Sequence, residues 1–112
     1  MKKSLFLSLA IIMLSTSLIL ASGSEKHSYK PKEGYVPDAA TAIKIAEAVL
    51  IPIYGEKVIN REKPLNAELK DGVWIVTGTL NCPGGGHKCL GGVAVIEISK
   101  DDGRILRVSH GE

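Results

Sequence analysis

Between residues 71 and 111, three alternating apolar runs are separated by glycine-bearing turns, and one of those turns carries both cysteines, Cys82 and Cys89. Alternation of period two predicts strands, and short polar turns predict that neighbouring strands pair as an antiparallel meander. Residues 65–70 and 73–80 flank Asp71-Gly72, a dipeptide suited to the left-handed positions of a tight type I′ turn. In the second run Trp74, Val76 and Leu80 share one face, with Gly78 permitting close approach, while Val73, Ile75 and Thr77 face the other way. Residues 93–99 place Ala94, Ile96 and Ile98 inward, and residues 105–110 place Leu106 and Val108 inward with Arg104 and Arg107 near solvent. Ile75, Val93 and Val95 make the opposite face apolar too, which predicts a second covered surface.

Upstream, the period changes. Ala42, Ile45, Ala46, Val49, Leu50 and Ile53 recur at spacings of three and four, forming the apolar stripe of a helix that opens after Asp38 as N-cap. Pro52 lacks an amide donor and is expected to end or kink this helix near Ile51, giving about thirteen residues. Residues 56–66 are charged and mixed, and Pro64 argues against a central strand there. Residues 22–37 are polar, with Gly34 between Pro31 and Pro37, and read as a flexible leader whose final Tyr35 and Val36 dock on the domain.

Residues 1–21 combine Lys2 and Lys3, an apolar middle and small residues at Ala21, Ser22 and Gly23, the arrangement of a cleaved secretory signal. Ser15, Thr16 and Ser17 interrupt the apolar segment, which is short for a membrane span. No cysteine follows it, against a lipoprotein anchor. The chain has 14 basic and 12 acidic residues; removal of Lys2 and Lys3 with the signal leaves a formally neutral protein. A neutral, mixed-sign surface has no electrostatic footprint for nucleic acid, and export leads to a compartment that lacks it. The expected location is the periplasm, in which Cys82 and Cys89 are expected to pair and close the loop between two strands. On the chain-entropy model that ring adds about 2 to 3 kcal/mol.

Candidate chemistry is sparse. Cys82, His87 and Cys89 supply three potential ligands, too few for a closed structural zinc site, so neither metal nor cofactor is expected. Gly84-Gly85-Gly86-His87-Lys88 lacks the order of a phosphate-binding loop and precedes a strand rather than a helix, so its glycines read as backbone freedom for a tight ring. Asp101-Asp102 reads as turn chemistry, Glu47 as a solvated helix position, His27 as part of the leader and His110 as a strand-end residue. Trp74 reads as core.

Tyr54-Gly55, Glu62-Lys63-Pro64, residues 71–76, Gly78, Leu80, Gly91-Gly92, Ile96, Ile98, Asp102-Gly103 and His110 together resemble the nuclear transport factor 2-like immunity proteins of bacteria, over roughly residues 35–111. The resemblance implies protection of the producing cell by binding a cognate toxin of the polymorphic or Rhs type, with no catalytic residues. The Cys82–Cys89 insert departs from that family's pattern. A weaker resemblance, in the alanine-rich helix and the later Asp-Gly strand signals, is to PepSY-like exported modules that restrain peptidases or bind the envelope. Enzymes on the nuclear transport factor 2-like cone need a buried acid or base, whereas Glu68 and Glu97 are expected to face outward.

The expectation is therefore an α+β domain over residues 38–112, with one helix on a curved antiparallel sheet of three to four strands, as in a small nuclear transport factor 2-like or cystatin-like cone. Its expected function is periplasmic immunity against a toxin acting in the envelope, with peptidoglycan as the expected target and the adjacent gene as the expected source of the toxin. The expected contact surface is the ring residues Gly84, Gly85, Gly86, His87 and Lys88 with Arg104 and Arg107, because a stapled loop is preorganised for binding. Dimerisation through the Val93 and Val95 face is a further possibility.

Overall fold

The computed structural model describes residues 27–82 and 91–111. Residues 1–26, residues 83–90 of the cysteine loop and Glu112 lie outside the described residues. Two compact units divide the chain, Met1–Lys30 and Pro31–Glu112, and every regular element described below belongs to the second.

Helix α1 (Ala39–Tyr54) starts where Asp38, in extended backbone, accepts hydrogen bonds from Thr41 N at 2.8 Å and Thr41 Oγ1 at 2.6 Å. Those bonds satisfy an amide that the first turn leaves unpaired. The helix runs through Pro52 to sixteen residues, one turn beyond the expected stop. Proline forfeits only the bond to Ala48, a solvent-exposed residue, and the amide of Gly55 closes the end on Ile51 O at 2.8 Å. Ala42, Ala46 and Leu50 are fully buried, whereas Ile53, expected on the same stripe, is mostly exposed because it falls in the final turn beyond the sheet. A six-residue helix α2 (Glu56–Arg61) follows, burying Ile59.

Four strands then form an open antiparallel sheet in chain order: β1 (Asn66–Lys70), β2 (Val73–Thr77), β3 (Ala94–Ser99) and β4 (Ile105–His110). Asp71 and Gly72 take φ values of +50° and +76°, as a type I′ hairpin turn requires. The register sets Trp74 against Ile98 and Val76 against Ile96, so Trp74, Val76, Ala94, Ile96 and Ile98 form one buried face packed under α1. Full burial of a residue such as Ile96 or Leu50 stabilises by about 1.5 to 3 kcal/mol. Val73, Ile75, Val93 and Val95 on the other face are half-buried.

Two inward assignments fail. Leu80 is half-exposed because β2 ends at Thr77. Leu106 is 43% exposed: β4 pairs Arg107 with Glu97 but Ile105 with Ile98, and that irregularity leaves Leu106 out of the ladder.

Val36, grouped with the leader on composition, is fully buried. Its amide and that of Tyr35 donate to Lys100 O and Asp101 O at 3.0 and 2.9 Å, and its carbonyl accepts from Trp74 Nε1 at 2.8 Å. Gly34 makes this docking possible, since a Cβ there would lie 2.5 Å from Lys100 O. The Lys100 ammonium donates to the carbonyl of Glu33 on the same contact.

Candidate binding site at the base of the cysteine loop

The meander brings the end of β2, the start of β3 and the end of β4 to the same end of the sheet, opposite the Asp71-Gly72 turn. The cysteine loop leaves and returns there. Residues 61–64, which run from the last residue of α2 into the segment after it, tie both of its stems. On the entry side, Thr79 N donates to Glu62 O at 2.7 Å and Thr79 Oγ1 to Pro64 O at 2.6 Å. Asn81 Nδ2 reaches the carbonyls of Arg61 at 3.0 Å and Lys63 at 2.8 Å. The Lys63–Pro64 peptide is cis. On the return side, Ala94 N donates to Glu62 Oε1 at 2.6 Å.

Glu62 is the buried charged residue of the described core, 7% exposed. A carboxylate so placed needs hydrogen-bond partners for both oxygens. Oε1 has Ala94 N; Oε2 lies 2.8 Å from His110 Nε2. The second ring nitrogen of His110, Nδ1, lies 2.8 Å from Gly111 O, and the ring centroid is 5.1 Å from that of Tyr54 at the end of α1. The hydrogen bond to Glu62 is the main cause that raises the His110 pKa above 6.5; burial acts against it, and the Gly111 carbonyl and the Glu62 charge add to it. Gly78 provides the room for this arrangement, because a Cβ there would lie 2.5 Å from Glu62 Oε1. The Gly111 amide bonds Val93 O at 3.2 Å, and a side chain at Gly92 would overlap Gly111.

The expected contact residues are distributed unevenly. Gly84, Gly85, Gly86, His87, Lys88 and Cys89 lie outside the described residues. Cys82 is half-buried beside Asn81. Arg107 is on the face opposite α1, paired with Glu97 at 2.6 Å. Arg104 sits in the β3–β4 turn at the far end of the sheet, its amide bonded to Asp102 Oδ1 at 3.0 Å. That bond is the first cause holding the Asp102 carboxyl below its usual pKa, aided by Ser99. Glu47, read as a solvated position, pairs with Lys63 at 3.3 Å. Glu62, Thr79 and Asn81 were missed. Glu62 lay in a charged stretch without periodicity, and its only signal was the Glu-Lys-Pro string quoted for the resemblance.

Chemically, the arrangement is a rigid base for a loop. Both His110 nitrogens are engaged, and no group of three His, Cys, Asp or Glu among the described residues is arranged to hold a metal ion. Among the described residues, no helix is long and apolar enough to cross a membrane.

A helix on an open four-stranded antiparallel sheet, with its polar cluster gathered under one loop, defines an α+β binding scaffold of the nuclear transport factor 2 type. The chain belongs to the NTF2 fold immunity protein family, whose model matches residues 41–112. It is similar to two Escherichia coli K12 proteins described as uncharacterized: YhhH, 36% identical over 77 residues, covering 69% of this chain and 58% of that protein, and YbbC, 37% identical over 87 residues, covering 77% and 65%. The chain thus spans less than two thirds of the length of either relative. No solved structure matches it.

Proposed function

We propose that this protein is a periplasmic immunity protein that binds a cognate antibacterial toxin acting in the cell envelope and blocks it by occupancy rather than by turnover. Membership of the immunity family supports the general role. The observation that carries the site is the Glu62 clamp: one residue bonds Thr79 on the entry stem and Ala94 on the return stem, so the intervening loop is held at both ends. Preorganised loops lose less entropy on binding. In this reading Cys82 and Cys89 form a disulfide that closes the loop, and His87 and Lys88 are presented at its tip. The signal-like residues 1–21 support export, and export places an immunity protein where its toxin works.

The test is co-expression. The product of the adjacent gene is sent to the periplasm of a sensitive strain together with this protein, with or without residues 1–21, and the purified pair is measured for binding. Rescue only with residues 1–21 present, and nanomolar affinity, is the expected result. Failure of both binding and rescue refutes the toxin assignment. Unchanged affinity in His87→Ala/Lys88→Ala refutes the loop as the contact surface.

A further inference from the structure

We infer that Glu62 and His110 form a proton-operated latch on the base of the cysteine loop, closed when His110 carries its second ring proton. The inference concerns the fold and goes beyond the immunity reading, on which it does not depend.

His110 Nδ1 and Nε2 lie 2.8 Å from a backbone carbonyl and 2.8 Å from a carboxylate oxygen. Both are acceptors, and a neutral imidazole has one N–H to give. Only the imidazolium donates to both. The groups that face the ring support the same state. From α1 comes the Tyr54 ring, 5.1 Å away centroid to centroid, whose π-system attracts a cation. From the segment after α2 comes Glu62. The residue paired with His110 on β3 is Ala94, which is uncharged. Among the described residues Glu62 is the one ion-pair partner of His110.

The carboxylate is shared between two jobs. Its Oε2 meets His110, while its Oε1 holds Ala94 N at 2.6 Å. When the ring loses a proton, it can keep N–H on one of its two nitrogens. Keeping it on Nδ1 turns the Nε2 lone pair toward Oε2, and keeping it on Nε2 leaves the Gly111 carbonyl unpaired. The first arrangement sets two acceptors against each other, and the second replaces a charge-assisted bond to Glu62 by a weaker neutral one, so in either case the carboxylate is held less firmly. Gly78 is packed against that side chain, so the space for adjustment is small. A shift of Glu62 stretches the Oε1–Ala94 bond at the residue where β3 begins. The loop stem therefore loosens as pH rises through the His110 transition.

Two substitutions separate this latch from a static contact. In Glu62→Gln the amide oxygen still accepts from Ala94 N, and the amide N–H donates to a neutral ring. In His110→Gln the side chain donates to Glu62 at every pH. The experiment is an NMR titration of the purified protein between pH 5 and 9, with the His110 ring assigned by its loss in His110→Gln, together with hydrogen exchange of the Ala94 amide corrected for intrinsic rate. The expected result is a His110 midpoint above 6.5 and a drop of about tenfold in Ala94 protection through the same midpoint, the scale of one lost bond to a charged group. Glu62→Gln should lower the midpoint and flatten the protection profile, and His110→Gln should flatten it as well. A His110 midpoint at or below 6.5 in the native protein overturns the latch. So does Ala94 protection that crosses the midpoint unchanged, or that still steps in His110→Gln.

Discussion

Placing a methyl group at Gly78 tests the packing around Glu62 directly. An alanine Cβ there would lie 2.5 Å from Oε1, 3.0 Å from Cβ and 3.4 Å from Cδ of Glu62. The contact with Cβ matters most, because that atom is fixed to the backbone and cannot swing aside as a carboxylate can. Overpacking of this kind costs about 1 to 3 kcal/mol. Moving Oε1 also breaks its 2.6 Å bond to Ala94 N, and a hydrogen bond to a charged group contributes about 1.5 to 3 kcal/mol. Against these stands about 0.5 to 1 kcal/mol gained when alanine replaces glycine in extended backbone. The net expectation for Gly78→Ala is a loss of about 3 kcal/mol, equivalent to a fall of about 12 °C or more in Tm for a domain of this size.

Urea unfolding followed by the fluorescence of Trp74, the single tryptophan of the chain, measures that loss. The decisive comparison is a double-mutant cycle. In a Glu62→Gly background the obstructing side chain is gone, Cβ included, so Gly78→Ala should cost within about 0.5 kcal/mol of nothing, giving a coupling of about 3 kcal/mol. An equal cost in both backgrounds would refute the reasoning, since the methyl group would then be clashing with something other than Glu62.

Trp74→Phe removes the Nε1 bond to Val36 O and part of a buried ring, and should lower stability by about 2 to 3 kcal/mol, read by circular dichroism in urea. Leu50→Ala, at a fully buried position, should cost about 3 kcal/mol in the same assay. Asp38→Ala should lower the urea midpoint at pH 7 by removing the cap on α1. The Asp38 pKa is lowered first by the Thr41 hydroxyl and then by the Thr41 amide, so its contribution is present above pH 3.8 and is lost as pH falls through the lower folded value; the difference from Asp38→Ala should shrink in acid. For His110 the sign is opposite. Its pKa is raised in the folded state, so its stabilisation is complete below pH 6.5 and is lost as pH rises through the raised value. A urea midpoint that falls across this window in the native protein but not in His110→Gln is the expected result.

The parts of this fold legible in the sequence are those that alternate. Trp74 and Val76, and Ala94, Ile96 and Ile98, announce one buried face because a strand has a strict period of two, and Asp71-Gly72 sets the hairpin between β1 and β2 because few residues tolerate both of its backbone angles. Asp38 was legible as a cap for a similarly local reason. Local rules fail where a neighbour overrides them. Pro52 sits inside α1 because the carbonyl it deprives lies on the exposed side, and α2 has too few buried residues to show a period. Leu106 leaves the core through an irregular pairing with β3 that hydropathy does not encode. The site is the extreme case, since Glu62 and His110 are 48 positions apart and look like ordinary polar residues in their own segments. What singles them out is that the loop stems meet where α2 ends, and only the folded register brings Ala94 N, His110 Nε2 and Gly78 around one carboxylate. A pattern of apolar positions specifies which side chains leave water; it carries no instruction for the polar group that must be satisfied among them. In this chain that group bonds both stems of the cysteine loop, so the least legible residues are the ones whose substitution tests the proposed binding surface most directly.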